Sequence, residues 1–179
     1  MEKVSKRPPE LVLNRLAFAS SRILRDALKP RPRTREQLWL GRYFQKELLS
    51  EKIPDVSLRW VSDEIGWGVF AERNFSKMEF IAEYAGLVRR RRKGDLANAY
   101  CFEYPLEIGE WTPYLIDAEE AAGWSRYINH SDRPNLLSAL ATLEGINHII
   151  LYTNETISKG TELCYNYGPD YWKHRKNPR

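Results

Sequence analysis

Arg126-Tyr127-Ile128-Asn129-His130-Ser131-Asp132-Arg133-Pro134-Asn135 packs two asparagines, a histidine, a serine and a rigid proline behind the apolar lead Tyr127-Ile128. A surface loop seldom needs so many directional groups beside an apolar lead, whereas a site that holds a polar ligand against a core does. Ser-Asp and Arg-Pro-Asn are also ordinary turn chemistry, and Asn129 is able to cap a backbone end. On its own the stretch therefore reads as a turn. Its companions elsewhere in the chain decide.

With 179 residues, 42% of them hydrophobic, the chain supports one folded domain with an appendage and a sizeable core. Six Trp and ten Tyr allow an aromatic-lined pocket. Cys101 and Cys164 lack CxxC spacing, so neither a disulfide framework nor a metal cluster is expected, and a reducing, intracellular compartment fits, cytoplasm or nucleus alike. No apolar run is long enough to span a membrane, and the first residues lack a signal-peptide core.

Charge is unevenly placed. Residues 1–60 carry 14 Lys/Arg against 7 Asp/Glu, whereas residues 94–170 carry 3 against 12. The opening stretch thus lies in an acidic region. That disfavours nucleic acid as the ligand of this half and suits a lysine- or arginine-rich peptide.

Residues 1–10, with Pro8-Pro9, read as a loose start. Leu13, Leu16, Ala17, Leu24, Ala27 and Leu28 recur at helical spacing, which predicts an amphipathic basic helix over 11–28 with Arg15, Arg22 and Arg25 off the stripe. Packing of its apolar face on its own domain is the simpler expectation. Homodimerisation or contact with a membrane surface are the alternatives. After a stiff break at Lys29 to Arg33, Thr34-Arg35-Glu36-Gln37 fits a capping box opening a second helix, which Pro54 ends. The texture then turns to short strand-like runs at 56–61, 69–70, 80–84, 87–88, 99–104, 114–116, 146–152 and 162–165, a mostly β pattern of small sheets. The alanine-rich residues 118–128 suggest one short helix. Arg89 to Lys93 reads as a solvated loop or an edge-strand guard, with a nuclear-import signal or a peptide-repelling rim as alternatives.

Three further stretches carry chemistry. Gly66-Trp67-Gly68 lets backbone approach a ligand beside an aromatic face, or else turns a hairpin. Glu83-Tyr84-Ala85-Gly86 is a strand ending in glycine. In Gly160-Thr161-Glu162-Leu163-Cys164-Tyr165-Asn166-Tyr167-Gly168, strand spacing puts Tyr165 and Tyr167 on one face. Two such phenols either pack a core or line a channel for a cationic group.

Gly-Trp-Gly-Val, Glu-Tyr-x-Gly, Arg-Tyr-Ile-Asn-His-Ser-x-x-Pro-Asn and Gly-x-Glu-Leu-x-Tyr-x-Tyr-Gly, in that order, resemble the SET-domain protein lysine methyltransferases, over about residues 57–172. Tyr114 to Ala118 also looks like the family's segment preceding the Asn-His-Ser motif. The resemblance implies a SET-type β-clip of small curled sheets with α elements and a C-terminal pseudoknot. It divides the chain into a helical basic extension (1–55), a catalytic domain (56–172) and a short basic tail (173–179). It implies S-adenosyl-L-methionine as cofactor, leaving S-adenosyl-L-homocysteine, and a lysine ε-amine of a histone or similar basic protein as acceptor.

By position in the motifs, the resemblance sets Gly66, Trp67, Gly68, Asn129 and His130 against the cofactor. Arg126, Tyr100 and Trp172 are further pocket residues. Tyr167 takes the catalytic place, Tyr84 faces the acceptor nitrogen, and Tyr165 limits how many methyl groups are added, favouring mono- or dimethylation. Tyr171 closes the channel with them. Two departures stand out: Asp132 where many members carry Cys, and Asn166 where Asp is frequent. No cysteine cluster flanks the domain, so no metal is expected. The competing reading is a catalytically weak SET-like module that binds basic tails. A nucleic-acid or membrane-surface protein, resting on the N-terminal helix and Arg89–Lys93, ranks third.

Overall fold

The computed structural model describes residues 9–12, 15–50, 52–95, 98–119 and 123–173. Its longest pairing is a hairpin of β9 (Leu136–Leu143) and β10 (Ile146–Thr153). Glu144 and Gly145 both sit at positive φ, 50° and 82°, the geometry a two-residue turn needs to match strand twist. β4 (Phe80–Glu83) pairs with the other edge of β10 and completes a three-stranded sheet. A four-stranded sheet runs in the order β1 (Ala17–Phe18), β5 (Leu87–Arg90), β7 (Tyr114–Asp117), β6 (Cys101–Glu103). β2 (Val56–Ser62) and β3 (Gly66–Ala71) form a hairpin, with Trp60 opposite Trp67. Finally β8 (Asn129–His130) pairs in parallel with β11 (Cys164–Tyr165). Small sheets packed around one another are the β-clip arrangement expected from the sequence.

The first helix is shorter than the periodicity suggested. Only α1 (Ser21–Ala27) is helical, and Ala17–Phe18 is the edge strand β1. Ser20 caps α1 by accepting the Ile23 N–H, which fixes the helix start. Upstream, the N–H groups of Ala17 and Ala19 donate to Gly86 and Val88 carbonyls, so pairing with β5 overrides the helical pattern. Ile23 and Ala27 are buried on the chain's own core, while Leu24 and Leu28 of the expected stripe stay half-exposed. Leu13 and most of the loose start, 1–8, lie outside the described residues.

The capping box is present: Thr34 accepts from the Gln37 N–H, and Gln37 accepts from the Thr34 N–H. It opens α2 (Arg35–Tyr43), continued by α3 (Gln45–Leu48). Leu40, Phe44 and Leu48 pack on Ala141, Ile150 and Tyr152 of the hairpin. Gly41 makes this contact close. A Cβ there would lie 1.9 Å from the Thr142 carbonyl oxygen. The expected helix over 118–128 reduces, among the described residues, to a 3-10 turn at Trp124–Tyr127, residues 120–122 lying outside them.

Arg90 to Lys93 are exposed, as the solvated reading of the run expects, but Arg89 is an exception. It is buried, bonded to Asp117 Oδ2 at 2.7 Å and to Asp95 Oδ1 at 2.7 Å. Bonds to Asp95 come first and Asp117 second in holding its guanidinium strongly charged. Val88 and Arg89 point to opposite faces of β5 and both are buried, so both faces are covered there and exposure begins at Arg90. Among the described residues, no helix is long and apolar enough to cross a membrane.

Candidate functional site

Residues 129–135 embrace residues 162–167. Asn135 donates through Nδ2 to the Glu162 carbonyl at 2.8 Å and accepts at Oδ1 from the Cys164 N–H at 2.9 Å. The Ser131 N–H donates to the Tyr165 carbonyl at 3.1 Å. The turn chemistry read from Ser131, Pro134 and Asn135 thus serves as a clasp on the C-terminal strand, and it sets Asn129 and His130 beside Tyr165 and Tyr167.

Around this crossing lies a cavity of about 370 Å3. Gly66, Trp67, Tyr84, Tyr100, Arg126, Asn129, His130, Tyr165, Tyr167, Tyr171 and Trp172 all line it. Of the candidate residues, Gly68 alone is absent from the wall. It is buried behind the wall, where a Cβ would lie 2.6 Å from Glu162 Oε1 and 3.0 Å from Asn129 Nδ2. Glycine there lets β3 lie against the crossing. Glu64, Ile65, Ala99, Cys101, Phe102 and Tyr127 also line the cavity and were missed from the sequence. Cys101 and Phe102 carried a signal in adjoining Tyr100; Glu64 and Ile65 carried one in preceding Gly66.

Hydrogen bonds determine what each polar group has left to offer. Asn129 donates from Nδ2 to the Trp67 carbonyl at 3.1 Å and to Glu162 Oε1 at 2.9 Å, so its amide hydrogens are committed within the protein. Its Oδ1 is the side-chain atom left for a ligand. His130 Nδ1 accepts the Tyr167 N–H at 3.2 Å, which requires the proton on Nε2, and Nε2 then donates to Asp132 Oδ1 at 3.1 Å. Asp132, which the sequence left without a role, accepts the bond from the Nε2 proton that the Tyr167 N–H fixes. Both ring nitrogens being engaged, the main chain is the part of His130 open to a ligand.

The tyrosines form one aromatic wall. Ring centroids of Tyr165 and Tyr167 lie 4.7 Å apart, as do those of Tyr167 and Tyr171. Trp172 stacks on Tyr167 at 6.1 Å and meets the His130 ring edge-on at 4.8 Å. The Tyr167 hydroxyl donates to the Ile128 carbonyl at 2.8 Å, and the Tyr84 hydroxyl to the Tyr100 carbonyl at 2.9 Å. Each oxygen keeps its acceptor lone pairs. Burial pushes the Tyr84, Tyr165 and Tyr167 phenols well above their ordinary range, so all three are neutral at physiological pH. Burial also pushes the Cys101 thiol up to about 11, which keeps it an unreactive thiol.

Arg126 shapes the opposite side. Its guanidinium donates to the Ala118 and Glu119 carbonyls and lies over the Tyr100 and Tyr127 rings at 5.1 and 4.7 Å. Two donors in this lining, Arg126 Nε and Trp172 Nε1, are buried without a hydrogen-bond partner among the described residues. Unpartnered buried N–H groups are costly, and a ligand bearing acceptor atoms would satisfy them. A site with an aromatic wall, neutral acceptor oxygens and unmet donors suits a ligand carrying a cationic or alkyl-ammonium group and polar ends.

The family model described as "SET domain" matches residues 66–168, which take in Gly66 and reach Gly168 beyond the clasp. The chain belongs to the SET-domain family. Within that family it is 32% identical over 113 residues to "Histone-lysine N-methyltransferase set-2" of Caenorhabditis elegans, covering 57% of this chain and 7% of that protein. Against "Histone-lysine N-methyltransferase, H3 lysine-4 specific" of Emericella nidulans it is 35% identical over 107 residues, covering 56% and 9%. Against "Histone-lysine N-methyltransferase Set8" of Drosophila pseudoobscura pseudoobscura it is 31% identical over 155 residues, covering 82% and 22%. This SET-domain chain spans less than a quarter of the length of any of these three relatives.

Proposed function

We propose that this chain is an S-adenosyl-L-methionine-dependent protein-lysine N-methyltransferase acting on a basic, histone-like protein. The carrying observation is the convergence of Tyr84, Tyr165, Tyr167 and Tyr171 with Asn129, His130 and Trp172 on one cavity. The names of its relatives, and the 12 acidic against 3 basic residues over 94–170, support a basic substrate.

When bound, the cofactor supplies a methyl group activated by a positively charged sulfur. Trp67, the Gly66 backbone, Asn129 Oδ1, the His130 main chain, Arg126 and Trp172 would hold it, the two unmet N–H donors fitting its acceptor atoms. The wall of phenol rings favours a cation electrostatically. A free lysine titrates near ~10.4, so the acceptor must shed a proton to become nucleophilic, and a desolvated, cation-bearing channel helps it do so. Tyr167 is not the base that takes that proton: its buried phenol already resists ionisation, and the proton leaves to water. Its role is positional: an acceptor oxygen held by the bond to the Ile128 carbonyl that would support the transferred methyl group. Tyr84, fixed in the same way, would face the amine. The buried Tyr165 hydroxyl restricts room for an amine already methylated, which favours mono- or dimethylation.

The test is incubation of the full chain with labelled cofactor and a panel of basic proteins. Tyr167→Phe should lower kcat by at least about 100-fold, as expected for loss of one transition-state interaction, while loss of its bond to the Ile128 carbonyl costs only about 1 kcal/mol of stability. Incorporation that ignores this change would remove Tyr167 from the chemistry. Tyr165→Phe should move the product toward higher methylation, read by mass spectrometry. Binding of basic peptides without any methyl incorporation would favour the weak-catalyst reading.

A further inference from the structure

Two basic stretches far apart in the chain meet in the fold. Because β1 pairs in parallel with β5, the helix that follows β1 is laid beside Arg90 at the end of β5. Arg22, Arg25, Lys29 and Arg90 line one groove of about 350 Å3 together with Asp26 and Tyr114. Asp26 is its single acid, and it acts as an internal strut. It is bonded to Lys29 at 2.7 Å, to the Tyr114 hydroxyl at 2.7 Å and to Arg31 at 3.4 Å. Among the described residues Arg22, Arg25 and Arg90 make no ion pair, and all three are exposed.

We propose that this groove docks the phosphate backbone of duplex DNA, independently of sequence. Guanidinium groups on a short helix and a strand end make a fixed array suited to phosphate oxygens. Single strands need an aromatic platform for their bases. The groove offers none: Tyr114 is 2% exposed and Arg90 already lies over its ring at 5.8 Å. Sheet order places the site on the far side. The groove belongs to the β1–β5 edge, and the cavity wall includes Cys101 and Phe102 of β6 at the opposite edge. A polyanion on the groove therefore leaves the cavity open. The acidic region over 94–170 repels the same polyanion, so binding is confined to one face. This surface does not depend on the methyltransferase reading.

The experiment is fluorescence anisotropy of the full chain with a labelled, mixed-sequence duplex of roughly 30 base pairs, between about 50 and 200 mM salt. Wild type is expected to bind, with a log–log salt slope of about −2 to −3 if three free arginines meet phosphates. Arg22→Gln/Arg25→Gln/Arg90→Gln should weaken binding at least about tenfold and flatten the slope by roughly 2. Its circular dichroism melting curve and its methylation of a free basic peptide should match wild type. Failure of wild type to bind at the lowest salt would overturn the proposal. So would equal binding by the triple variant, tighter binding of the unpaired strand, or salt-sensitive retention on phosphatidylserine vesicles in place of duplex.

Discussion

At the scale of single residues, His130 is the clearest case of a side chain whose partners define its state. The Tyr167 N–H needs an acceptor on Nδ1, and Asp132 accepts the bond from the proton on Nε2. Asp132→Ala removes that acceptor. We expect the Nε2 proton, still fixed on that nitrogen by the Tyr167 N–H at Nδ1, to exchange faster with solvent in proton–nitrogen NMR spectra. Loss of one such bond is worth about 1 kcal/mol, so affinity for S-adenosyl-L-homocysteine should fall roughly 3- to 10-fold by calorimetry. Asp132→Asn, which keeps an acceptor oxygen, should restore most of both signals. The pairing was invisible in the sequence. A motif places Asn129 and His130 together, but which nitrogen bonds to what depends on the strand arriving from residue 164 onward. Tyr84, Tyr165 and Tyr167 were legible because residue type, order and strand alternation all pointed the same way. Glu162 was not, since the bond of its carboxylate to Asn129 depends on the close approach of Gly68.

At the scale of elements, the capping box at Thr34 was readable because it is local, while β9 was overlooked because its turn, Glu144-Gly145, lacks the Asn or Asp that usually announces a hairpin. The first helix was overextended for a related reason: a non-local strand partner, β5, outbid a weak periodicity. Gly41 is the position where α2 has no room. Gly41→Ala should destabilise by about 1–3 kcal/mol, or lower Tm by roughly 2–10 °C in thermal melts, despite the better helix propensity of alanine. Arg89 ties β5 to β7 and to the segment leading to Tyr100. Arg89→Met would leave Asp117 buried without its cation, and the expected loss is about 3–5 kcal/mol by urea denaturation.

At the scale of the whole molecule, pH acts on stability from both ends. Asp26 is held down to about 2, first by its bond to Lys29 and then by that to Tyr114. Its contribution is present above the ordinary carboxylate range and is lost as pH falls toward about 2. Burial raises the Tyr84, Tyr165 and Tyr167 phenols. Their neutral forms are kept in the folded state when the unfolded chain would ionise near ~10, so stability falls as pH rises beyond that value. A melting series across pH should show both flanks. Tyr165→Phe should reduce the alkaline loss.

The clasp of residues 129–135 on residues 162–167 has a temporal meaning as well. A parallel pairing between such distant parts of the chain forms late, after the intervening β9–β10 hairpin has brought them near. Until that pairing forms, Tyr165 and Tyr167 are not set beside Tyr84, Asn129 and His130. The proposed site is therefore assembled by the pairing of β8 with β11, and not by either strand alone.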